Sequence, residues 1–202
     1  IFMYRLTNFL GDAFTNVSQD AVDAFEEKKA VPKGTMSRVQ NGIDTSYWNP
    51  ETDPFIEKNY PSNGTHLEEV EEAKAENRKA LYSKLKMDYD PAILFTCISR
   101  IVQQKGPEMI QFGIEYVLKK GGKFVLLGST PEPKLKAEFQ NLAKEYQDNP
   151  HVHFHFLFNE SLAHLAYAAA DCILIPSLFE PCGLTQMIAL RYGTIPIVHK
   201  VG

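Results

Sequence analysis

After residue 90 the chain alternates short apolar runs with amphipathic stretches. Runs at 92–98, 123–128, 152–158, 172–176 and 194–198 are rich in β-branched and aromatic residues. Such runs suit strands of a parallel sheet covered on both faces. The stretches between them read as helices. The first spans 109–120, with Pro107 at its start and Gly121-Gly122 stopping it, and others span 133–147 and 161–170. A last helix opens at Thr185 and Gln186. The order β-α-β-α-β-α-β-α-β predicts an α/β fold, a Rossmann-like, parallel, doubly wound sheet. Ligands bind beyond the carboxyl ends of strands in such sheets. Three loops fall at that edge, 99–106, 158–161 and 177–185.

Upstream the pattern is weaker. Residues 13–18 read as a short strand, and Ser18 is an N-cap candidate for a helix over 19–29. Pro32, Lys33 and Gly34 interrupt the chain, and 36–40 reads as a second strand ending in the turn pair Asn41-Gly42. Residues 51–66, rich in Pro, Asp, Asn, Gly and Ser, read as a loop or linker. Residues 66–86 predict a highly charged helix whose narrow buried stripe is Leu67, Val70, Ala73, Leu81 and Leu85, with its glutamates on a solvated face.

Composition adds limits. At 202 residues, 44% hydrophobic and 23% charged, the chain fits one or two globular domains. A net charge of −4 and a pI near 5.9 give no reason to expect a nucleic-acid partner. No long uninterrupted apolar run marks a membrane span. Cys97, Cys172 and Cys182 make an odd set without metal-ligand spacing, two of them in strand-like runs. That predicts free thiols in a reducing compartment. Ile1 and Gly202 both read as cut ends of a longer protein.

The chemistry concentrates in Ser177-Leu-Phe-Glu-Pro-Cys-Gly-Leu-Thr-Gln186. A glycine just before a helix start lets an anion approach backbone N–H groups at the positive end of the helix dipole. Gly183, Leu184 and Thr185 therefore suit a phosphate, with Glu180 placed to grip a sugar hydroxyl. Arg100 and Lys105 stand in the first edge loop, where an Arg and a Lys after a strand by themselves read as surface charges. Cys182 has no histidine near it in sequence to activate it, so it is expected to pack within its loop. His151, His153 and His155 alternate along one strand edge; they fit a contact with a helix, and no metal is expected. His164 is expected on a helix surface and His199 at the end of the last strand.

Two strings carry a resemblance. Phe179-Glu-Pro-Cys-Gly-Leu-Thr-Gln186, with Arg191-Tyr-Gly-Thr-Ile-Pro196, resembles the donor loop of bacterial and plastid glycogen and starch synthases. Those are retaining GT-B glycosyltransferases that use ADP-glucose. Ser99-Arg-Ile-Val-Gln-Gln-Lys-Gly106 is similar to their diphosphate loop, and Asn41-Gly-Ile-Asp44 with Tyr47-Trp-Asn-Pro50 to their interdomain junction. The resemblance covers 41–202 well; residues 1–40 are closer to the broader group-one enzymes. Many retaining GT-B enzymes carry a second glutamate eight positions after the first. Ile188 stands there, as in the synthases, which also lack it.

The resemblance implies that Arg100 and Lys105 bind the diphosphate and Glu180 the donor glucose. Gly183, Leu184 and Thr185 would hold the distal phosphate. Phe158 would stack on the base, where the family usually has Tyr. It further implies an α-glucan acceptor, no metal cofactor, and a cytoplasmic location in a bacterium or a plastid location in a plant. By the same token residues 1–50 end an N-terminal GT-B domain, 51–87 form a linker and charged helix, and 88–202 form the donor-binding domain. A fragment of this extent is expected to be inactive by itself. Two alternatives stay open: another retaining group-one transferase, and a non-catalytic module that binds a nucleotide sugar or a glucan.

Overall fold

The computed structural model describes residues 14–17 and 19–201. The expected N-cap at Ser18 lies outside the described residues. The chain divides into two packing units. The smaller comprises the described residues up to Gly42, Phe179–Leu184, and the residues from Lys200. In it β1 (Phe14–Asn16), α1 (Gln19–Glu27) and β2 (Met36–Arg38) form a parallel β-α-β unit, with Thr15 opposite Ser37. Its apolar anchors are Val22 and Val31. The helix stops two residues before the expected end, because Lys29 turns to φ 51° and Ala30 N–H bonds back to Phe25. The Cys182 thiol donates to the Asn41 carbonyl at 3.5 Å, so it does pack within this unit.

The larger unit, 43–178 with 185–199, opens with α2 (Leu67–Leu85) and continues as the predicted alternation. Its elements are β3 (Leu94–Arg100), α3 (Pro107–Lys119), β4 (Lys123–Ser129), α4 (Pro133–Glu145), β5 (Val152–His155), α5 (Glu160–Ala169), β6 (Cys172–Ile175), α6 (Leu184–Arg191, whose first residue belongs to the smaller unit) and β7 (Ile195–Val198). All five strands are parallel, in the order β5-β4-β3-β6-β7. The chain runs outward from β3 to β5, then returns to lay β6 on the other side of β3. The topological switch point therefore lies between β3 and β6. These two strands pair only at Phe95–Cys172 and Thr96–Ile173, and no ladder continues toward their carboxyl ends.

Alternation along the central strands builds one core on each face. Leu94, Val125, Leu127 and Ile173 meet α2, α5 and α6, while Cys97, Phe124, Leu126 and Val152 meet α3 and α4. Helix α2 buries Ala73, Asn77, Leu81, Tyr82 and Leu85. The expected stripe is right at Ala73, Leu81 and Leu85. It is wrong at Leu67, which is 67% exposed, because His66 N-caps the helix in a left-handed conformation and Leu67 starts it beyond the core. Buried Asn77 holds the preceding loop, accepting from the Glu57 and Lys58 amides and donating to the Lys58 carbonyl.

His164 is not on a surface. It is 0% exposed, and every residue of α5 from Leu162 to Ala169 is buried. That helix is apolar all round, the signature of a helix covered on every side. The His164 Nδ1 donates to Asp53 Oδ2 at 2.7 Å, and Tyr192 O–H donates to the same oxygen at 2.5 Å. Trp48 stacks on the imidazole at 4.0 Å. Burial alone would raise the Asp53 carboxyl, but the bonds from His164, Tyr192 and the Phe55 amide outweigh it and hold it below the usual range. Around this hub, Tyr60 O–H donates to the Tyr192 carbonyl, and Lys74 Nζ caps Ala168 O, Tyr192 O and Thr194 Oγ1 at 3.1 Å each. Arg78 pairs with Asp171 at 2.7 Å, and Asp171 in turn accepts the Leu94 amide.

Three outcomes follow for stability. Asp53→Ala leaves His164 Nδ1 and the Tyr192 hydroxyl buried without their acceptor, and urea unfolding should show a loss of about 3–5 kcal/mol. Leu67→Ala, on an exposed side chain, should stay within about 0.5 kcal/mol of the parent. Burial pushes the Lys74 ammonium down to about 7, against the pull of Asp171. Above that pH the folded chain binds one proton fewer than the unfolded chain. Stability should therefore rise with pH from about 7 toward the ordinary lysine value of about 10.4. Lys74→Met should remove that rise in unfolding curves measured across the window.

Candidate functional site

The edge at the switch point is built from backbone first. Strand β3 ends in Ser99 and Arg100, and a 3₁₀ turn, Gln103–Lys105, carries the chain to Gly106. Gly106 takes φ +66°, and a side chain there would collide with the Pro176 carbonyl. Pro107 then starts α3 at a position where its missing N–H costs nothing. From the far side of the switch point, Leu178 N–H donates to the Gln104 carbonyl at 2.9 Å. The Ser177 carbonyl meets His199 Nδ1 at 3.1 Å, directly after β7 as expected for His199. The loop that carries Lys105 and the chain leading to Phe179 are thus stitched together within the larger unit.

Arg100 and Phe158 line one cleft of about 170 Å³ between the ends of β3 and β4 and the start of α5. Gly128 gives it a bare floor: it stands opposite Ser99 in the ladder, and a side chain on it would strike the Ser99 carbonyl. The expectation that Phe158 ends a strand needs correcting. Strand β5 stops at His155, and Phe158 lies beyond it, 85% exposed. It caps no core. A large aromatic held in solvent beside a cation offers about 1.5–3 kcal/mol when a flat apolar ligand covers it. One residue on, Asn159 N-caps α5 by accepting the Leu162 amide at 3.0 Å.

Lys105, half-buried, closes the 3₁₀ turn on the same edge as Arg100. Glu180 and Gly183 belong to the smaller unit, where Gly183 takes φ +77° just before α6. Leu184 opens that helix and is exposed. Thr185, in the larger unit, has its side chain hydrogen-bonded to Tyr167, so the start of α6 offers an anion its backbone rather than this hydroxyl. Ile188, where a second carboxylate would stand, is buried in the core.

Reading the sequence alone misses the supports. Gly128 gave no signal beyond being a glycine at a strand end. The Asn159 cap was legible in principle, as an Asn directly before a helix start. The Gln104–Leu178 bond joins backbone atoms, which no residue type announces. A larger cavity, about 450 Å³, lies elsewhere, lined by Phe112, Tyr116, Leu174 and Ile197 with Lys120 as its one charged side chain. It has no convergent polar groups to orient a substrate. Among the described residues, no three His, Cys, Asp or Glu side chains converge on a point, and no helix is long and apolar enough to cross a membrane.

Residues 83–202 match the family described as glycosyl transferases, group 1. The chain is 45% identical over 169 residues to a glycogen synthase of Protochlamydia amoebophila, covering 81% of this chain and 34% of that protein. It is 46% identical over 164 residues to the probable starch synthase 4, chloroplastic/amyloplastic, of Arabidopsis thaliana, covering 81% of this chain and 15% of that one. The catalytic domain of starch synthase IV from Arabidopsis thaliana, solved bound to ADP and acarbose, superposes with a TM-score of 0.87 at 36% identity. That match covers 98% of this chain and 41% of the other. The chain thus spans about a third or less of the curated relatives it matches first.

Gly106→Ala tests the stitched edge. It sets a Cβ against the Pro176 carbonyl at a left-handed φ, and should cost about 1–3 kcal/mol in thermal or urea unfolding. Gly121→Ala, also at positive φ but with open space around it, should cost less.

Proposed function

The chain belongs to the group 1 glycosyltransferases, and on that premise we propose that its protein transfers glucose from ADP-glucose to the non-reducing end of an α-1,4-glucan, with retained configuration. The observation that carries the reading is the cleft shared by Arg100 and Phe158 between the ends of β3 and β4. A nucleoside diphosphate needs a flat face for its base and fixed cations for its phosphates. Phe158 supplies the first; Arg100 and Lys105 supply the second. Their likeness to the diphosphate loop of the synthases, and the ADP named with starch synthase IV, support adenine as the base.

In the proposed reaction the bond between glucose C1 and the diphosphate oxygen breaks, and negative charge grows on that oxygen. Arg100 and Lys105 stabilise it more strongly as the charge develops, which is where binding energy becomes rate. The backbone of Gly183, Leu184 and Thr185 holds the distal phosphate, and Glu180 takes a hydroxyl of the donor glucose. No metal is needed for charge that two cations already meet. Residues 1–50 belong to the end of the acceptor-binding domain, 51–87 to a linker and charged helix, and 88–202 to the donor-binding domain. The location is the cytoplasm in a bacterium or the plastid in a plant.

Calorimetry with ADP and the 202-residue chain tests the cleft. Arg100→Ala and Lys105→Ala should each weaken ADP binding about 10-fold or more, as expected for losing a hydrogen bond to a charged group. Phe158→Ala should weaken it about 5- to 100-fold, the range for one lost base–aromatic stack, and Phe158→Tyr should restore it. Equal affinity in all four variants would contradict the reading. In a longer protein that includes this chain, Glu180→Gln should abolish most turnover while ADP-glucose still binds in preference to UDP-glucose or GDP-mannose.

A further inference from the structure

The imidazoles on β5 take no part in the donor cleft. Val152 and Phe154 pack into the core formed with α3 and α4, so strand alternation turns His153 and His155 to the opposite face, toward α2 and α5. Their rings stand 6.4 Å apart and nearly parallel. There they line a separate cavity of about 310 Å³, with Lys84 and Lys86 at the end of α2 and with Asn159 and Ser161 at the start of α5. No carboxylate lines it. Glu160, the nearest acid in sequence, accepts a hydrogen bond from the Tyr47 hydroxyl at 2.5 Å.

Three features give the cavity a chemical preference. Its four ionisable groups are all basic, which suits an anion and opposes a metal ion. The Nε2 of His155 is buried without a hydrogen-bond partner, and a buried polar atom left alone is destabilising until something bonds to it. The site is also too polar and roomy to be a packing defect, since a core position on this edge strand would ordinarily hold Val or Ile.

We infer that this cavity is a second anion site, which takes the phosphate group of a small phosphorylated molecule. Lys84 and Lys86 supply charge, and the His155 imidazole supplies direction. Burial and the neighbouring His155 hold the His153 imidazole below its ordinary pKa. A bound dianion favours its charged form, so occupation should be visible on the ring itself. The site does not rest on the donor reading: Asn159 alone lines both this cavity and the Arg100–Phe158 cleft.

The test follows the His153 and His155 side-chain NMR signals while the 202-residue chain is titrated with inorganic phosphate, and separately with glucose 1-phosphate. Each titration is repeated with ADP at saturation and again in Arg100→Ala. A saturable shift in the millimolar range that survives both conditions is the expected result. Tighter binding of the ester assigns the site to a phosphate monoester; equal binding assigns it to free phosphate. His155→Leu should weaken binding about tenfold or more. The double variant Lys84→Glu, Lys86→Glu should do the same, and it changes only exposed side chains, so it keeps the test valid if His155→Leu fails to fold. ADP binding should be unchanged in both. No saturable shift, a shift abolished by ADP or by Arg100→Ala, or one indifferent to the lysine pair would each overturn the site.

Discussion

The larger unit depends on where two neighbouring strands stop pairing. β3 and β6 share a ladder for only two positions, then run on without it. A continued ladder would seal the sheet edge. Its early end leaves backbone from both sides free to form loops, and the parallel order places the carboxyl ends of all five strands on one side. The loops are held by contacts that only bare backbone allows, Gly106 against the Pro176 carbonyl and Gly128 against that of Ser99. Arg100 and Phe158, the proposed ligand groups, are exposed at this edge.

Rigidity comes from behind the edge. α5 follows Phe158 and Asn159, and α6 follows Gly183, so any play in these helices reaches the loops. One carboxylate, Asp53, bonds to a side chain at each, His164 on α5 and Tyr192 just past α6. Lys74 and Arg78 on α2 then cap the carbonyl ends of α5, and Lys74 also takes the Tyr192 carbonyl. The charged helix and the loop before it are therefore part of the larger unit's frame. A buried carboxylate fixed by two donors specifies one arrangement of three segments more sharply than apolar contact does, since a shifted arrangement leaves it unpaired.

The sequence of strands and helices along the chain after residue 90 was legible because buried parallel strands write themselves as apolar runs, and the helices between them as amphipathic ones. Arg100, Lys105 and Glu180 were singled out by the strings that resemble the synthases, because a charged residue after a strand is by itself an ordinary surface group. His164 was misplaced because a lone histidine in a helix looks like surface when its partner, Asp53, is far away in sequence. Phe158 was read as the end of a strand because the apolar run continues through Phe156 and Leu157, although the ladder ends at His155. Leu67 was read as core because periodicity counts an apolar residue without knowing that the helix begins there. Periodicity finds elements; it does not find the end of a ladder or a contact between distant polar groups.

The proposed function puts the nucleotide of a sugar donor in the cleft between the ends of β3 and β4. Amide chemical-shift mapping with ADP addresses it directly, because it reports location without presuming which residues bind. The account predicts that the largest changes fall at Ser99–Arg100, at Gln103–Gly106, at Gly128–Ser129 and at Phe158–Asn159. Changes centred instead on Phe112, Tyr116 and Ile197, around the larger apolar groove, or no changes at saturating ADP, would contradict it.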